Sequence, residues 1–81
     1  METRVAVISI IVEDGEAVAE LNALLHDYSP YIIGRMGIPY RERNISIICL
    51  AIDAPNDRIN ALTGVLGRIR GLRAKATYSS V

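Results

Sequence analysis

Few side chains in this 81-residue sequence could carry chemistry. It has one cysteine, Cys49, and one histidine, His26. His26 has no second histidine or cysteine pair nearby, so its spacing does not suggest a metal site. Cys49 sits in the middle of an apolar run, where a thiol is expected to be buried and inert; a reactive thiol needs an accessible, electropositive setting. No Ser/His/Asp set, paired-carboxylate motif, glycine-rich phosphate loop or zinc spacing is present. The expectation is a protein that is not an enzyme and holds neither metal nor cofactor.

Binding is the chemistry that remains. Arg35 lies between Gly34 and Gly37 in an otherwise apolar segment. There its guanidinium could hold an effector's carboxylate or phosphate, or form an ion pair with Glu13 or Glu42 of a neighbouring copy. Tyr40, Arg41 and Arg43 fall in a polar turn and could meet a partner protein or an anion, although a solvated turn is the default reading. Thr63 and Gly64 could approach a ligand from a helix, and helix packing accounts for them as well. Tyr31 and Met36 read as interface or core packing.

These residues are positioned by six elements. Arg4 to Val12, rich in Val and Ile, suits a strand. Glu13-Asp14-Gly15-Glu16 ends it, with Asp14 as a helix N-cap. Val18, Leu21, Leu25 and Tyr28 then form one helical stripe, with Leu24 beside it, until Ser29-Pro30 stops the helix. Tyr31 to Ile38 reads as a strand whose glycines mark a bulge or a close approach by another backbone or a ligand. Pro39 to Asn44 is a hairpin turn in which Asn44 tolerates positive φ. Ile45 to Ile52 is the clearest strand. Asp53 or Asn56 caps a second helix, whose stripe is Ile59, Leu62, Leu66 and Ile69. Gly64 and Gly67 within it suggest close helix packing or fraying. Gly71 ends the helix, Leu72 to Tyr78 is a short strand, and Ser79-Ser80-Val81 reads as a frayed tail.

The order βαββαβ predicts an α+β, ferredoxin-like fold: one domain over 1–81, ordered from about 4 to 78, with a four-stranded antiparallel sheet and both helices on one face. The other face should alternate to polar. It does not. In the third strand Ile45, Ile47, Cys49 and Ala51 alternate with Ser46, Ile48, Leu50 and Ile52, and both sets are mainly apolar. In the first strand Val5, Val7, Ser9 and Ile11 alternate with Ala6, Ile8, Ile10 and Val12. A bare apolar sheet face of this size is avoided by monomers. Domains this short also bury a small share of their surface alone, and one cysteine rules out a disulfide staple. The expected partner is therefore a second copy, in a homodimer or a higher even oligomer.

Nine basic residues balance nine acidic ones, which argues against direct nucleic-acid binding. The strand Ile45–Ile52 also lacks the aromatics on which RNA-recognition sheets stack bases, and Arg68, Arg70, Arg73 and Lys75 form only a modest basic patch. No apolar run reaches the length of a membrane span. Met1-Glu2-Thr3-Arg4 leads straight into a strand with no leader-like cleavage site, which together with a free cysteine suggests a reducing cytoplasm.

The stretch Tyr31-Ile32-Ile33-Gly34-Arg35-Met36-Gly37-Ile38-Pro39-Tyr40-Arg41-Glu42-Arg43 is distinctive, as are Ile10-Ile11-Val12-Glu13-Asp14 and Ala61-Leu62-Thr63-Gly64-Val65-Leu66-Gly67. Together they resemble the small ACT-like, ferredoxin-fold proteins named iron-only hydrogenase system regulators, from Val5 to about Lys75. The resemblance implies an oligomer with a role in regulating hydrogenase expression or maturation. Two modes are open: a small-molecule effector bound near Arg35 or at the subunit interface, or a ligand-free scaffold that assembles with a protein partner. Asn44 stands where the family usually has glycine, and asparagine can adopt the same left-handed backbone. In ACT domains the loop after the first strand often helps bind amino acids, which implies Asp14 and Gly15 as effector contacts. Against this, Glu13, Asp14 and Glu16 would repel a carboxylate, and a plain helix cap explains Asp14 too.

Overall fold

The computed structural model describes residues 2–80. Its elements run β1 (Arg4–Val12), α1 (Val18–Asp27), β2 (Ile32–Tyr40), β3 (Ile45–Ala54), α2 (Asn56–Arg68) and β4 (Leu72–Tyr78), with 3-10 turns at Gly15–Ala17, Ser29–Tyr31 and Arg41–Arg43. The strands form one antiparallel sheet in the order β2-β3-β1-β4. This is the α+β ferredoxin-like arrangement expected from the element order.

Strand alternation builds the core. Ala6, Ile8, Ile10 and Val12 of β1 and Ile48, Leu50, Ile52 and Ala54 of β3 are buried beneath the helices. Leu21 and Leu25 of α1 and Ile59, Leu62 and Leu66 of α2 close over them. Each large side chain so buried contributes about 1.5–3 kcal/mol from area removed from water. Leu24 and Tyr28 pack at the margin as the stripe predicts, whereas Val18 is 38% exposed because the first turn after Asp14 is a 3-10 turn that places Ala17 inward instead.

Several local expectations change. The hairpin turn is tighter than Pro39–Asn44: β2 continues through Tyr40, and Asn44 takes the left-handed conformation (φ 57°, ψ 39°) before β3. Neither Asp53 nor Asn56 caps α2. Asp53 stays in β3 opposite Val5, and the Pro55 carbonyl receives the amides of Arg58 and Ile59. Gly64 and Gly67 do not serve close packing: a Cβ on Gly67 would meet nothing within 4 Å, and one on Gly64 only the tip of Arg68, at 3.9 Å. Ser79 is tied down, its amide donating to the Val5 carbonyl (2.9 Å) and its carbonyl accepting from Arg4 Nε (3.0 Å). Val81 lies outside the described residues.

Gly71 fastens the two halves of the fold. Its φ of 88° is a glycine conformation, its carbonyl accepts from Glu13 N (2.7 Å), and a Cβ there would fall on the Asp14 side chain. Gly71→Ala is expected to cost more than about 1 kcal/mol in urea unfolding. Gly67→Ala, in open helical space, is expected to be neutral or to gain up to about 1 kcal/mol.

Candidate functional site

The register divides the chosen residues between different surfaces. Gly34 is level with Ala51, Met36 with Cys49, Ile38 with Ile47 and Tyr40 with Ile45, all on the side away from the helices. Arg35 is level with buried Leu50, and Gly37 with buried Ile48, so both belong to the helix side at the sheet's edge. The change of phase comes from a bulge between Ile32 and Gly34, which bears out one of the two readings of the glycines.

The side away from the helices is an apolar field. Val7 is 48% exposed, Met36 54%, Ile38 46% and Tyr40 43%, and Ile11 and Ile47 lie among them. Small residues open two hollows in it. One of about 260 Å³ lies by Gly34, Met36, Cys49 and Ala51. The other, about 280 Å³, lies by Ser9, Ile11, Ile47 and Lys75. Cys49 is half-buried on this field, rather than enclosed in the core as the sequence suggested.

Arg35 faces elsewhere. Its Nη2 donates to Asn22 Oδ1 of α1 (2.8 Å), at the rim of a depression bounded also by His26 and Ser29. Glu13, considered as a partner for Arg35 from a neighbouring copy, accepts instead from Arg73 Nε of its own chain (3.0 Å). Glu42 accepts from the Tyr40 hydroxyl (3.4 Å). Asp14 caps the 3-10 turn, its carboxylate accepting from Glu16 N (3.0 Å). Gly15 and Arg41 border one shallow depression beside Asn44. Thr63 donates to the Asn60 carbonyl (3.1 Å), and with Gly64 it lies on α2, across the sheet from the apolar field.

Among the described residues no three His, Cys, Asp or Glu side chains gather as a metal ion would require, and no helix is long and apolar enough to cross a membrane. The basic patch is dispersed: Arg68 ends α2, while Arg73 and Lys75 lie on β4 and face the open side. Sequence reasoning missed Asn22, since a lone amide on a polar helix face carries no signal. It also missed that Lys75 belongs to the apolar field, although the alternation Leu72, Ala74, Ala76 against Arg73, Lys75, Thr77 carries that information.

The geometry can be set beside known proteins. The family described as "TM1266-like: Iron-only hydrogenase system regulator, putative" matches residues 4–76. The solved structure of uncharacterized protein TM1266 from Thermotoga maritima is 41% identical, with a TM-score of 0.91 over 95% of this chain and 98% of that one. A formyltetrahydrofolate deformylase from Pseudomonas putida KT2440 matches at 11% identity and a TM-score of 0.64, over 90% of this chain and 28% of that one, a likeness of fold alone. No curated protein matches the chain. From the match over 4–76 and the 41% identity, the chain belongs to the TM1266-like family of iron-only hydrogenase system regulators.

Proposed function

We propose that this chain is a non-catalytic regulatory module of an iron-only hydrogenase system, working in the cytoplasm as a homodimer or higher even oligomer built on the open face of its sheet. The observation that carries this reading is the contiguous apolar field formed by Val7, Ile11, Met36, Ile38 and Ile47 on both central strands and β2. Exposed apolar surface of this extent on a small domain marks an interaction site. A second copy is the occupant that needs no other component, and a two-fold interface requires only that the surface complement itself.

The same face supports a regulatory use. Its two hollows, about 260 and 280 Å³, would be enclosed when the face is covered. Enclosed, largely apolar spaces with a few polar groups are what small ligands occupy, so the effector binds at the subunit interface. Arg35, held by Asn22 on the other side of the sheet, is then a surface contact for a partner protein rather than an effector ligand.

Sedimentation at micromolar concentration is expected to give a dimer or larger species; a stable monomer overturns the reading. Ile47→Glu places a charge at the centre of the field and is expected to weaken association by about 2 kcal/mol or more, while the far-ultraviolet circular dichroism stays that of the folded protein. A thermal-shift screen of amino acids, nucleotides and metal ions is expected to raise the melting temperature for at least one class. No shift across the set retires the effector and leaves a ligand-free scaffold.

A further inference from the structure

The open face carries one cation and one anion that no other described residue satisfies. Of its charged strand residues, Arg73 is engaged by Glu13, while Asp53 and Lys75 are exposed and make neither an ion pair nor a side-chain hydrogen bond among the described residues. The sheet register fixes where they stand. Asp53 is level with Val5, Lys75 is level with Ser9, and β1 runs between their two strands. They are therefore offset by four residues along the sheet and two strands across it, about 13 Å and about 10 Å at ordinary sheet spacings.

We infer that Asp53 of one copy pairs with Lys75 of a second copy, twice, across a two-fold axis lying between the two open faces. This rests on the self-association proposed above and adds its geometry. A two-fold interface requires that if residue i meets residue j, then j meets i, and a single unpaired anion with a single unpaired cation satisfies this without any third group. The axis that lays Asp53 on Lys75 is the perpendicular bisector of the line joining them. On a flat projection of the sheet it crosses β1 over Val7, passes between Ala51 and Cys49 on β3, and reaches β2 at Met36. The charges alone thus select an axis through the middle of the apolar field, which was identified from exposure independently.

Two consequences follow from that axis. The strands of the two sheets cross at near right angles, one of the two ordinary ways in which sheets pack face to face. Along the axis the small residues Ala51 and Cys49 stand between the larger Val7 and Met36, each of which then packs against its own copy. The Ile38–Tyr40 end of the field overhangs the partner's β2, which leaves apolar surface for a dimer of dimers.

The test is a charge exchange followed by sedimentation equilibrium. Asp53→Lys sets two lysines against each other at both contacts, and Lys75→Glu sets two carboxylates. Each variant alone is expected to dimerise about tenfold more weakly or worse than the parent chain, since like charges facing one another at an interface are strongly disfavoured. Mixed in equal amounts, the two are expected to recover parental affinity as a heterodimer, because both contacts are then Lys–Glu or Lys–Asp. The double variant D53K/K75E is expected to recover it as a homodimer, which also shows that neither change spoils the fold. If the parent chain dimerises and the single variants match it, or if mixing restores nothing, the pairing is wrong and the apolar interface stands. If the parent chain is a monomer, both fail.

Discussion

Two helices can cover only one side of a four-stranded sheet, and in this chain the central strands are apolar on both sides. The covered side holds Ile8, Ile10, Leu50 and Ile52, all essentially inaccessible. The other side holds Val7, Ile11, Ile47 and, from β2, Met36 and Ile38, all exposed. No polar or charged residue is buried in the described chain, so the core raises no unmet hydrogen-bonding demand of its own. The demand that remains is for something to lie on the second face, and the functional reading starts there.

Much of this could be read from the residues in order. The short, Val- and Ile-rich runs Arg4–Val12 and Ile45–Ile52, bounded by breakers, gave the strands, and the lack of polar alternation within them gave the apolar second face. Asn44 was legible through its tolerance of the left-handed conformation, which the structure shows at φ 57°. What was not legible was phase in β2. The bulge at Ile33 adds a residue and turns Arg35 toward α1, away from the field where Met36 lies. A bulge is set by pairing with β3, and no local composition announces its position. The cap of α2 was misread for a related reason. Asp53 has the right chemistry for a cap, yet strand pairing with Val5 holds it two residues before the cap position at Pro55.

The surfaces on the two sides of β2 are accordingly different in character. One is flat, apolar and continuous with the central strands. The other is a polar rim where Arg35, Asn22 and His26 meet around a shallow depression. A regulator needs to be read as well as assembled, and a protein with separate faces for the two can keep one exposed after the other is covered.

The margins of the sheet have a bearing on how far assembly can go. An outer strand with unpaired amides invites another strand, and growth by that route has no natural end. Both outer strands here are protected against it. β4 alternates Arg73, Lys75 and other polar residues along its length, and β2 is interrupted by the irregularity at Ile33 and by Pro39, which has no amide to donate. Lateral addition into a ribbon or fibre is thereby discouraged at each margin, and the exposed apolar surface lies mainly on the open face. A protein with this much exposed hydrocarbon can then remain a finite particle at cellular concentrations instead of a precipitate.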